Sequence, residues 1–270
     1  MTDSTQMPPQ SNPLLDKVRL PGETFTLPSR GLFYNNGELD DSVNNGEIYM
    51  FPMVTLDEIA FKTPDKLYSG TAITEVITRC VPSVKKPLEL LTKDIDFILV
   101  CLRRLSYGDT ISITSTHTCE GAKEHDYDVS MTQFVNNNKP LDPTVVGEKF
   151  TMTMENGQVV KLSPPRFKDV LKFYQIAASN NDDADKLNDE LNTSLFESIA
   201  GLIESVDGTT NKQHITEWAQ AVPVMYVRRI NEKIDELSDW GPTFDTELKC
   251  KDCGKAFTVN TPINPLAFFI

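Results

Sequence analysis

The sequence predicts an α+β fold in which a helical N-terminal part and a helical insertion are attached to a small β base. Three observations predict it. A knuckle, Cys250-Lys-Asp-Cys253-Gly254, is followed by a strand-like run over 256–260. Far upstream, Thr116-His117-Thr118-Cys119 sits between two strand-like runs of its own, 110–116 and 127–131. Elsewhere, long stretches repeat apolar residues at the i, i+3, i+4 spacing of helices rather than in strand alternation. Two thiolates two residues apart, backed by a glycine that can take positive φ, suit a turn aiming both sulfurs at one tetrahedral Zn²⁺. The base therefore reads as zinc-ribbon-like: two hairpin tips clamped on one ion. Everything between Cys119 and Cys250 is an excursion from it.

A full ribbon would put a second upstream cysteine at Thr116 or Ala122, and neither is one. His117 or His125 could complete a Cys₃His set. His117 is favoured for its closeness to Cys119, which makes His117, Cys119, Cys250 and Cys253 the candidate ligands. Two other readings stay open. One is a redox dithiol, which would want the motif at a helix start. The other is a ribbon that folds on packing alone. Cys80 and Cys101 fall inside apolar helical patterns and read as small core residues.

The elements follow in order. Residues 1–20, polar with Pro8-Pro9 and Pro13, read as a flexible arm. The region 21–108 reads as a β-hairpin plus helices. Asn36-Gly37 and Asn45-Gly46 are hairpin signals flanking short strands at 38–43 and 47–51. Thr55-Leu-Asp-Glu58 is a capping box, with the Thr55 hydroxyl and the Glu58 carboxylate meeting the first free amides. Thr63-Pro64 starts another helix, a further one spans 72–80, and the clearest covers 93–105. Gly108 would close that helix in the left-handed region.

The region 109–162 holds the first half of the base and a second hairpin, 148–154 with 158–162, joined by Asn156-Gly157. The region 163–243 is the helical insertion. Ser163-Pro164 caps its first helix, residues 180–185 form a polar break, and 193–237 is almost all helix. In it, Leu195 to Val206 make one apolar stripe, Val206-Asp-Gly208 a turn between helices, and Pro223 a new helix start. The region 244–270 holds the second half of the base and an apolar tail, Pro265–Ile270, suited to docking on a neighbour.

Composition excludes several classes. The 270 residues, 39% apolar and 24% charged, describe a globular protein with no run long enough to span a membrane. Five cysteines and an N-terminus without signal-peptide features point to a reducing compartment. A net charge of −13 argues against nucleic acid and for basic protein partners. No phosphate loop, serine elbow or metalloprotease motif accompanies His117, His125 or His214, so no enzyme and no small-molecule substrate is expected.

A longer series of motifs is also present in order. Leu27-Pro-Ser-Arg-Gly-Leu-Phe-Tyr34 precedes Gly46-Glu-Ile-Tyr-Met-Phe-Pro-Met-Val-Thr-Leu-Asp-Glu58 and Tyr68-Ser-Gly70. Arg103-Arg-Leu-Ser-Tyr-Gly108, Cys119, Val206-Asp-Gly208, Cys250-x-x-Cys253-Gly254 and Phe268-Phe269 follow. This series resembles the baseplate hub family of T-even-type contractile-tailed bacteriophages. The resemblance implies a non-enzymatic structural or assembly protein of the hub, working through contacts with other hub and tail proteins. It also implies residence in the virion tail baseplate, and in the host cytoplasm during assembly. Its members commonly carry two cysteines in the first turn, whereas this chain has Cys119 alone.

Overall fold

A computed structural model of the chain describes residues 19–119, 121–178, 194 and 196–260. Residues 1–18 of the expected arm, the polar break at 180–185 and the apolar tail lie outside the described residues. The fold is mixed, with helices and small antiparallel sheets alternating along the chain.

Strand β1 (Glu23–Thr26) pairs antiparallel with β2 (Glu47–Met50), setting Phe25 opposite Ile48. The strand expected at 38–43 is not formed; that segment makes a single bridge, Leu39 with Val84. Its geometry is dictated by Glu38, which is buried. One carboxylate oxygen accepts from the Asn36 amide at 2.7 Å and the other faces Arg166 at 3.6 Å. Asn45-Gly46 does turn the chain, with φ of 50° and 73°, but it returns β2 to β1 across the Leu27–Tyr34 loop. Gly46 is indispensable there, because a Cβ would lie 2.7 Å from the Arg30 backbone. Gly46→Ala is expected to destabilise the fold by about 2–4 kcal/mol, from left-handed strain plus the clash. Urea unfolding reads this directly; an unchanged midpoint would refute it.

Helix α1 (Thr55–Phe61) starts one residue earlier than the capping box implied. Its N-cap is Val54, and Asp57 rather than Thr55 or Glu58 does the capping, accepting from the Val54 amide at 2.9 Å. Asp57 is buried and paired with Arg79, so this cap also ties α1 to α3. Helix α2 (Pro64–Tyr68) begins on its proline as expected, and α3 (Thr71–Cys80) follows. Helix α4 (Thr92–Tyr107) buries Ile95, Ile98, Leu99 and Leu102 along the predicted stripe. Cys80 and Cys101 are core residues, and burial pushes the Cys80 thiol up to about 12. Gly108 has φ 89° but ψ −176°, so it leaves the helix by an extended mirror-image conformation instead of a left-handed cap.

Strands β3 (Thr110–Ser115) and β4 (His125–Ser130) form the first hairpin, followed by α5 (Met131–Asn136). Helix α6 (Pro143–Lys149) occupies the ground expected to open the next strand. Its signal was Asp142-Pro143: the aspartate accepts from the Thr144 amide at 2.9 Å and the proline takes the first helical position. Strands β5 (Thr151–Thr153) and β6 (Val159–Leu162) then pair as predicted.

Helix α7 (Phe167–Ala178) begins beyond Ser163-Pro164; Ser163 is buried and its hydroxyl meets the Pro164 carbonyl, so it caps nothing. The predicted stripe from Leu195 to Val206 divides. Residues 196–201 are helical, but β7 (Ile203–Val206) joins β6 to complete a three-stranded sheet. The β-branched Ile203 and Val206 are buried against Leu162 and Val160, a partner that local periodicity cannot show. Asp207-Gly208, at φ 47° and 80°, therefore turns from a strand into α8 (Lys212–Ala221), not from a helix. Asn211 caps α8, and α9 (Val224–Glu236) follows Pro223. Strands β8 (Asp245–Lys249) and β9 (Ala256–Asn260) make the last hairpin.

Buried side chains gather in two apolar clusters. One surrounds α3 and α4 and takes in Phe25, Tyr127, Val129, Phe134 and Leu248. The other lies between the β5–β6–β7 sheet and α8 and α9, with Phe150, Ile215, Ile230 and Trp240. Tyr34 packs against both. Its hydroxyl donates to Asp94 Oδ2 at 2.6 Å and accepts from the Leu91 amide at 2.7 Å. Asp94, fully buried, also accepts from the Ser29 amide at 3.0 Å, and burial raises its carboxyl to about 6.

Candidate metal centre

The β3–β4 and β8–β9 hairpins meet at their tips. The contact is built from the inward faces of both: Tyr127 of β4 packs edge-on against Phe257 of β9 with ring centroids 5.8 Å apart. Leu248 is buried, and Phe257, Val259 and Ile113 pack partly buried around the same cluster. Apolar contact along the hairpins thus brings their tips together before any metal is considered.

At the second tip, the Cys250 amide donates to the Lys255 carbonyl at 2.9 Å and the Gly254 amide to the Cys250 carbonyl at 3.0 Å. Gly254, at φ 72°, lets the chain fold back beneath Cys250 and Cys253. At the first tip, the Cys119 amide donates to the His117 carbonyl at 2.9 Å and the Ala122 amide to the Cys119 carbonyl at 3.1 Å. This turn faces His117 Nδ1 and Cys119 Sγ toward the other hairpin. The His117 ring is braced by Phe257 at 4.9 Å.

One ligand atom from each of His117, Cys119, Cys250 and Cys253 falls within 4.8 Å of all the others. Cys119 Sγ is 3.9 Å from Cys250 Sγ, and Cys253 Sγ is 3.3 Å from His117 Nδ1. Sulfurs around a tetrahedral zinc, each about 2.3 Å from the metal, are separated by roughly 3.8 Å. The spacing is therefore that of a four-donor metal site. Three sulfurs and an imidazole are borderline-soft donors that suit zinc and discriminate against calcium or magnesium. The backbone amides of Cys253 and then Asp252 donate toward the Cys250 sulfur, holding that thiol down at about 6. Cys119 is instead pushed up to about 11, first by desolvation and then by hydrogen bonding to the neighbouring sulfurs.

His125, the other sequence candidate for the fourth donor, is not in the cluster; its Nε2 lies 2.9 Å from Asp252 Oδ2. His214 is exposed at the start of α8, as expected. The residues that spacing rules missed are Lys251 and Asp252, both of which reach from the second tip to the first. Nothing in a C-x-x-C pattern addresses the residues between its cysteines.

The family model described as T4 bacteriophage base plate protein matches residues 51–270. The chain belongs to that family. Comparison with curated proteins and with solved structures returned no match. Family membership makes this a phage baseplate structural protein, and the match spans both hairpins of the candidate metal centre. It begins at Phe51, so β1, β2 and the loop carrying Tyr34 precede it. Those residues nonetheless belong to the same core as the base plate family region, since Leu27, Ile48 and Met50 are fully buried within it. Among the described residues, no helix is long and apolar enough to cross a membrane.

Proposed function

We propose that this base plate family protein is a non-enzymatic component or assembly factor of the baseplate hub, acting through protein–protein contacts. In this reading Zn²⁺, held by His117, Cys119, Cys250 and Cys253, closes its ribbon-like base. The observation that supports a baseplate role is the family match over 51–270; the ordered motifs from Leu27 to Phe269 narrow the reading to the hub. Supporting it are apolar side chains left exposed on helices, Leu56 and Ile59 on α1 and Val224 and Met225 on α9, beside a net charge of −13. Such groups are more use in contacts with partners than in a free-standing molecule.

Four protein donors leave no open coordination position, so bound zinc would supply folding free energy and no site for substrate. Cys250 is buried, a poor placement for thiol–disulfide exchange and a good one for a ligand. The test of function is co-expression with candidate hub and tail proteins of a T4-type phage, followed by affinity purification. Stoichiometric co-purification with hub components is the expected result. An inert species that binds none of them would overturn the assignment.

A further inference from the structure

We propose that Asp252 and His125 form a positioning latch, which aligns the two halves of the metal centre and thereby sets how tightly the ion is held. The inference rests on the zinc reading above and extends it to residues that are not ligands.

Asp252 sits between Cys250 and Cys253, on the second tip. Its Oδ2 accepts from the Lys123 amide at 3.0 Å and lies 2.9 Å from His125 Nε2. Both partners belong to the first tip: Lys123 follows the turn that holds Cys119, and His125 opens β4. A single carboxylate oxygen therefore grips the loop carrying two ligands from the loop carrying the other two. The main-chain contact is a hydrogen bond; His125 Nε2 lies at ion-pair distance from the same oxygen without completing a hydrogen bond to it. The group is about a quarter exposed on each side, so water weakens the contact without replacing it.

Lys251 repeats the pattern. Its amide points to the Tyr127 hydroxyl at 3.4 Å, its ammonium donates to the Asp126 carbonyl, and the same ammonium lies 5.2 Å from the Tyr127 ring centre. A knuckle that only had to make a tight turn would leave both intervening side chains in solvent. Here both are committed to the opposite hairpin, and Asp252 alone holds the ligand loop itself. Outer partners that fix ligand loops in this way typically change metal affinity by about 10- to 100-fold when removed.

The test uses the full chain, with zinc affinity measured by competition against a chromophoric chelator and coordination read from the Co²⁺-substituted spectrum. Asp252→Ala is expected to bind zinc about 10- to 100-fold more weakly, with the thiolate-to-cobalt bands of a four-coordinate site retained. Asp252→Asn keeps an oxygen for the Lys123 amide and should recover much of the loss. His125→Ala should weaken binding with those bands intact, and combining it with Asp252→Ala should add little. Wild-type affinity in both Asp252→Ala and His125→Ala overturns the latch while leaving the zinc centre standing. Loss of the cobalt bands in His125→Ala would make that residue a ligand and also overturn it. A wild-type chain that takes up neither zinc nor cobalt would defeat the zinc reading itself, and the latch with it.

Discussion

Cys250→Ser is expected to abolish stoichiometric zinc retention and to remove the chelator sensitivity of the protein's stability. Serine keeps the size and the turn but offers a neutral hydroxyl where the amides of Cys253 and Asp252 stabilise a thiolate. With free zinc about a thousandfold above its dissociation constant, binding to the folded state alone contributes about 4 kcal/mol. Chelation should strip that amount from the wild-type chain and almost nothing from the variant. Urea unfolding of both proteins, with and without chelator, gives the four values needed. The same variant at Cys101, buried in α4 away from the tips, should leave zinc content unchanged. Equal chelator response in wild type and Cys250→Ser would end the zinc reading.

The second large effect is expected at Tyr34→Phe. Its hydroxyl is the shared partner of two fully buried groups, the Asp94 carboxylate and the Leu91 amide. Removing it leaves the Leu91 amide and Asp94 Oδ2 without this partner, while Oδ1 keeps the Ser29 amide; at about 1–3 kcal/mol for each lost partner, and less where water reaches the partly exposed ring, a loss of about 2–4 kcal/mol is expected. The loss also depends on pH in a definite sense. Burial raises Asp94 above its ordinary value to about 6, so its stabilising contribution is complete below about 4 and is lost as pH rises through 6. The Tyr34 hydrogen bond opposes that rise. Without it the folded-state value climbs further and the loss continues to higher pH. The deficit of Tyr34→Phe should therefore be larger at pH 8 than at pH 5. A deficit that is equal at both, or reversed, would show that Asp94 does not sense the hydroxyl.

What the sequence revealed and what it hid follow from the range of the interactions involved. Helices α3 and α4 and the β5–β6 hairpin were legible because their signals lie within a few residues: apolar periodicity in the first two, Asn156-Gly157 in the third. The β1–β2 pair was not, since β2 takes its partner from beyond the whole intervening loop of residues 27–46 and not from the nearer segment at 38–43. Strand β7 was hidden for the same reason: its apolar residues continue the rhythm of the preceding helix, and only β6 makes them a strand. His117, Cys119, Cys250 and Cys253, which the structure brings together, were reachable as a candidate set because C-x-x-C spacing expresses ligand geometry directly. Choosing between His117 and His125 needed only chain proximity, whereas Asp252 acts through space on Lys123 and left no local trace.

The separation of the two tips has a consequence for the order of events on the ribosome. Cys119 and Cys250 stand 131 positions apart. At bacterial translation rates the second is made roughly 7–26 s after the first, long after nearby helices have had time to form. The first tip must therefore wait, with only His117 and Cys119 in hand, while everything between is synthesised and begins to fold. Joining the tips is a late step, and a nascent chain halted within the excursion would present an unmated hairpin with Tyr127 uncovered.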